Sequence, residues 1–146
     1  MITREDLAAR AENAGGETGA SRPDGGGPAL TIPRSAQIAA AAAEEKAGRD
    51  TVLLAMGELL GVVDAFVVTS GGSRRHVLAL AEEIERRLKD ERLGAPSAVE
   101  GLRDGTWVLM DYGDTVVHVF DDETRRYYDL EHLWSSAPRL TWPPPR

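Results

Sequence analysis

The chain has 146 residues, enough for one domain with its own core and too few to divide comfortably into two. Its 42% hydrophobic and 28% charged fractions exclude a chain disordered throughout, and no apolar run approaches the roughly 20 residues of a membrane-spanning helix. Cysteine is absent, which removes disulfides, thiolate metal sites and cysteine nucleophiles together, and the net charge is −7.

The start lacks a basic flank followed by an apolar block, so secretion is not expected. Residues 1–34 hold five acids against four arginines, unlike an acid-poor transit peptide, and a bacterial cytoplasm is the expected location. Residues 13–33 carry six glycines and three prolines and cannot bury enough apolar surface to order themselves. The expected organisation is a disordered leader over 1–34, one domain over 35–138 and a proline-rich tail over 139–146.

Ser35 can cap an alanine-rich helix to about Ala47, with Gly48 where a helix ends. Thr51 to Met56 reads as a buried strand, Gly57 to Gly61 as a turn, and Ala65 to Ser70 as a second strand. Ser73 can cap a long helix to Arg92, because Val77, Leu80, Ala81, Ile84 and Leu88 recur at three and four residues. In this reading Glu82 and Glu83 lie on its solvent side. Gly94 and Pro96 end the helix, and a short extended piece comes next at Ala98 and Val99.

Trp107 to Phe120 is the clearest local signal. Two apolar runs flank Gly113-Asp114, a pair suited to a two-residue hairpin turn. That turn fixes the register: Met110 faces Val117 and Val108 faces Val119, giving an apolar face that must meet a core. The other face mixes Trp107, Leu109, Asp111, Val116, His118 and Phe120, and is either covered by a helix or left for a partner. Asp121 and Asp122 suit the start of a short helix to Arg126, and Asp129 can cap a further turn, Leu130 to Trp134. The expected fold is α/β, a mixed sheet of about five strands with helices packed on it.

Residues 97–134 hold nine acidic and three basic side chains. A field of that sign repels phosphate backbones, so direct nucleic-acid binding through this half is not expected. It suits either a basic protein partner or simple solubility.

The segment WVLMDYGDTVVHVF, then YYDLEHLW and Ala137-Pro138, resembles the ribosomal silencing factor family, also called the Iojap family. So do Asp64-Ala65-Phe66-Val67-Val68-Thr69-Ser70-Gly71, Ser73 and His76-Val77, in order and spacing, and the resemblance covers residues 36 to 138. It implies a nucleotidyltransferase-like fold in a family not known for enzymatic activity, and no catalytic residue, cofactor or metal is expected. It also implies a homodimer that binds ribosomal protein fourteen of the large ribosomal subunit and keeps the small subunit from joining, damping translation when nutrients are short. On that basis contact roles fall to Trp107, Asp111, Tyr112, Asp114 and His118, with Asp129, Leu130 and Trp134 as second candidates. Most have a structural alternative: Trp107 and Trp134 as core, Asp111 and Asp114 as turn supports, His118 as a satisfied structural histidine, and Asp129 as a helix cap. Tyr112 sits at the hairpin end, where its hydroxyl is expected to stay wet.

The rival reading is a nucleotidyltransferase-like enzyme. Thr69-Ser70-Gly71-Gly72-Ser73 lies between a strand and a helix, where backbone amides can hold a phosphate. Two-metal transfer also needs a carboxylate pair ending a neighbouring strand, and the residues about ten positions on, Glu82 and Glu83, fall mid-helix instead. A metal site from Asp111, Asp114, His118, Asp121 and Asp122 is not expected, because Asp111 and His118 lie two pairs apart on their face and Asp114 is at the turn, so they converge poorly.

Overall fold

The computed structural model describes residues 3–7, 32–60 and 63–143. Most of the Gly/Pro-rich stretch and the last three residues of the tail lie outside them. The elements run α1 (Arg34–Glu45), β1 (Arg49–Ala55), α2 (Gly57–Leu60), β2 (Ala65–Gly71), α3 (Arg74–Asp90), β3 (Ala98–Glu100), β4 (Trp107–Asp111), β5 (Thr115–Asp121), α4 (Asp122–Tyr128), α5 (Leu130–Leu133) and β6 (Arg139–Thr141).

The strands form one mixed sheet in the order β3-β4-β5-β2-β1-β6. Only β2 and β5 are parallel, and the α3 crossover lies between them in sequence. The mixed α/β sheet stands, with six strands where about five were expected. The extra one is β6: Leu140 pairs with Leu53, so residues expected in a tail extend the sheet at its β1 edge.

Strand register explains the two cores. Val99, Met110, Val117, Val67, Leu53 and Leu140 make one row across the sheet, and it faces α1 and α3. The predicted stripe of α3 lies in this core, with Val77, Leu80, Ile84 and Leu88 fully buried. Alanines of α1 bring that helix close, since Ala36, Ala39, Ala40 and Ala43 expose nothing. Glu83 departs from expectation: it is buried, hydrogen-bonded by Arg86 at 2.6 Å and approached by Arg87 at 4.0 Å. The Arg86 hydrogen bond holds its carboxyl below the usual range against the opposing cost of burial.

The hairpin register is as predicted, Val108 with Val119 and Met110 with Val117. Ser73 caps α3 as expected, its Oγ accepting from the His76 amide at 3.1 Å. Ser35 does not cap α1. Pro33 holds the cap position, and Ser35 Oγ turns inward to Asp114 Oδ1 at 3.0 Å and Thr115 Oγ1 at 2.7 Å. The left-handed residue ending α1 is Ala47, with Gly48 N–H closing back on Ala43 O at 2.8 Å. Gly48 is needed for closeness: a Cβ there would stand 2.5 Å from Thr69 Oγ1.

Residues 4–7 form a single helical turn, although they fall in the expected leader. Thr3 and Asp6 bond each other's backbone amides reciprocally, a capping box that satisfies two donors at the start of the turn. Its Leu7 is 1% exposed and joins the second core. No helix among the described residues is long and apolar enough to cross a membrane.

Candidate partner-binding surface

The mixed face of the hairpin is the first place to look for a partner surface, and the chain covers it itself. Its row, Glu100, Leu109, His118, Val68, Val52 and Thr141, lies beneath the second core, to which α4 and α5 contribute Tyr128, Leu130 and Leu133. Trp107 is 4% exposed, stacked on Phe120 at 5.0 Å and against Tyr128 at 4.8 Å. Its Nε1–H donates to His118 Nδ1 at 3.2 Å, which places the imidazole hydrogen on Nε2. His118 is wholly buried, lies edge-on to Phe66 at 4.6 Å, and has no hydrogen-bond partner for Nε2 among the described residues. Burial pushes it down to about 3, so it is neutral at physiological pH. Of the two alternatives for this face, covered by a helix or left for a partner, the covered one is found. Trp107 and His118 have almost no side-chain surface to offer.

The turn supports are structural in the way their alternatives foresaw. Asp111 is buried and accepts from Gly113 N–H at 2.8 Å, bracing a turn whose Gly113 adopts φ +89°. Asp114 is exposed yet binds Ser35, and its carbonyl accepts from Asp64 and Ala65 amides at 2.8 and 3.1 Å, tying the turn to the start of β2. Tyr112 is half-buried over the first core. Its hydroxyl is enclosed without a hydrogen-bond partner among the described residues, which corrects the expectation that it stays wet. Burial, helped by the Glu85 carboxylate, pushes the phenol up to about 12. Asp129 is left-handed (φ +47°) and caps α5 by accepting from His132 N–H at 3.3 Å. Leu130 is core, and Trp134 is partly buried edge-on to Phe66 at 6.3 Å.

Many of the nine acids have local tasks. Asp121 accepts from Thr124 N–H at 2.7 Å to cap α4, Asp122 pairs with Arg49, and Glu131 holds Arg125 at 2.8 Å and Arg139 at 3.1 Å. Arg125 is nearly buried and also donates to the carbonyls of Arg49 (2.9 Å) and Asp50 (2.6 Å) and to Ser70 Oγ (3.1 Å). It clamps the irregular start of β1, where Asp50 is left-handed. An open cleft of about 370 Å³ lies there, lined by Asp50, Ser70, Arg125, Asp129, Glu131 and Arg139, charges largely matched to one another.

Exposed apolar groups do occur along the β3–β4 margin of the sheet. Leu102 is 50% exposed and Val99 36%, two of four exposed large hydrophobics among the described residues. Glu100 lies between them in the chain, Asp104 just beyond, and the Tyr112–Asp114 turn closes the other end of β4. A sheet edge bearing apolar groups and acids suits a basic partner with apolar contact points. Sequence periodicity did not mark Val99 as a surface group, because a three-residue strand is too short to display one, and Leu102 lies in the turn after it.

The glycine turn also differs from the sequence reading. β5 ends on Asp121, paired with Gly71, and Asp122 opens α4, so two carboxylates do adjoin the turn, far beyond ten residues along the chain. Neither is free for a metal: one caps α4 and the other is paired with Arg49. The turn itself is filled. Gly72 N–H donates to His76 Nδ1 at 3.1 Å, His76 Nε2 donates to Lys46 O at 2.8 Å, and a Cβ on Gly72 would lie 2.7 Å from the Arg49 guanidinium. The Gly72 amide is thus already taken by a side chain of the protein.

A family model described as "Ribosomal silencing factor during starvation" matches residues 29–145. Ribosomal silencing factor RsfS of Bacillus subtilis (strain 168) is 42% identical over 102 residues, 70% of this chain and 86% of that one. A crystal structure of a Chromobacterium violaceum protein aligns with a TM-score of 0.68 at 36% identity, covering 73% of this chain and 88% of the other. More distantly, the mouse "Mitochondrial assembly of ribosomal large subunit protein 1" is 32% identical over 89 residues, 60% of this chain and 39% of its own. The chain belongs to the ribosomal silencing factor family.

Proposed function

We propose that this protein binds ribosomal protein fourteen of the large ribosomal subunit through its β3–β4 margin and hairpin turn, and sterically keeps the small subunit from joining. Translation would thereby be damped under nutrient limitation in a bacterial cytoplasm. The carrying observation is the margin itself: exposed Val99 and Leu102 beside Glu100, Asp104 and Asp114, on a chain of net charge −7 in a family named for ribosome silencing. The mouse relative's name refers to the large subunit, which favours that half of the ribosome. Tyr112 and Asp114 act at the surface in this reading. Trp107, Asp111 and His118 hold the strands that present it, and Asp129, Leu130 and Trp134 hold the cover on the far face. The active unit is proposed to be a homodimer.

Steric exclusion needs no reaction, and the filled glycine turn favours binding over nucleotidyl transfer. The test is co-sedimentation with purified large subunits, then addition of small subunits and measurement of joined ribosomes. Binding with a fall in joining supports the reading. Normal joining with the protein bound rejects the steric mechanism, and Mg²⁺-dependent nucleotide turnover would restore the enzyme alternative.

A further inference from the structure

Residues 3–7 lie outside the span matched by the family model, yet they dock on the domain beside the β3–β4 margin. Leu7 enters the second core, which includes Trp107. Arg4 Nη1 donates to Trp107 O at 3.2 Å, and Arg4 Nε stands 3.9 Å from Glu100 Oε1. The guanidinium also rests on Gly101, where a Cβ would come within 3.0 Å of it. The turn thus presents an arginine and a leucine, three residues apart on one side of a helical turn, to an acid and an aromatic core. A basic ribosomal protein would bring the same chemistry.

The fit of this internal ligand is incomplete. Arg4 Nε is buried and makes no hydrogen bond among the described residues, and its ion pair with Glu100 is long. A single helical turn has little cooperativity of its own, so docking is reversible at modest cost. The chain between it and α1 is rich in glycine, which keeps the released turn tethered nearby.

We propose that residues 3–7 are a tethered pseudo-ligand that occupies the Trp107 end of the β3–β4 margin and competes there with a basic partner segment carrying an arginine and an apolar side chain. This rests on the partner reading above and adds a regulator to it. Release of the turn frees Glu100, the rim of Trp107 and the Leu7 pocket together.

The experiment compares the full chain with full-length Arg4→Glu/Leu7→Asp, using purified ribosomal protein fourteen as the probe and hydrogen exchange of the residue 3–7 amides as the readout of docking. If the turn is docked nine-tenths of the time, its release tightens binding by roughly tenfold. Leu7→Ala should move the same way by less. Unchanged or weaker affinity with the turn released overturns the competition, as does an unmodified chain whose amides show no protection. Binding by neither chain rejects the partner reading and the competition with it, whereas equal binding by both rejects the competition alone.

Discussion

The far face of the hairpin and the β3–β4 margin carry similar residues and have opposite fates. Trp107, Asp111 and His118 combine aromatic, acid and imidazole on one sheet face, and all three are buried. Val99, Glu100 and Leu102 combine aliphatic groups and an acid along one sheet edge, where Val99 and Leu102 stay exposed. The difference lies in the path of the later chain. After β5 the chain returns through α4 and α5 over the far face, while β3 is an edge strand with no neighbour beyond it. Mixed composition therefore stays at the surface only where no other element comes back to cover it.

Trp107→Ala should break the buried side most strongly. Removing a stacked, nearly enclosed indole costs ~3–5 kcal/mol, read as a lowered urea midpoint, and any loss of binding should track the unfolded fraction. An unchanged midpoint would mean that this face is open after all.

Next in size is the pH response of His118. Its folded value, about 3, lies below the unfolded value of 6.5, so the unfolded chain binds the extra proton as pH falls. Stability is complete above pH 6.5 and declines as pH drops toward 3. Between pH 7 and 5 this amounts to ~2 kcal/mol. His118→Gln should flatten that stretch of the melting profile, and an equally steep profile in the variant would assign the slope to other groups.

The margin is expected to behave in the reverse manner. Val99→Ser with Leu102→Ser should change stability by only about 0.5 kcal/mol per site, yet weaken capture of ribosomal protein fourteen by roughly tenfold, about 1.4 kcal/mol. Full capture by that pair would move the contact elsewhere on the molecule. Asp114→Lys should have the smallest effect, a slower association with a shallower salt dependence and little change in dissociation. A dissociation rate raised as much as by the Val99 and Leu102 changes would place Asp114 at the centre of the contact instead of its rim.

Much of the fold was legible because its signals are local. The α3 stripe, the Gly113-Asp114 turn and the Ser73 and Asp121 caps all rest on residues close in sequence, and each is found where it was read. The misses depend on distant contacts. Ser35 turns inward because Asp114 and Thr115 wait 79 and 80 residues away, and β6 forms because β1 offers it an edge. Glu83 is the exception, held by its near neighbours Arg86 and Arg87. The turn at residues 4–7 had a readable capping pair, Thr3 and Asp6, but no strong apolar stripe to mark a helix. For the candidate surface, residue types were legible and burial was not, since the covering helices lie later in the chain.

Hydroxyl-radical footprinting of the full chain with and without ribosomal protein fourteen tests most directly whether the β3–β4 margin is the contact surface. Protection is expected at Val99, Leu102 and Tyr112 on binding, with the buried Trp107 and Phe120 unchanged. Protection confined to the opposite surface, such as Tyr127 on α4, with Val99 and Leu102 reacting as before, would contradict it.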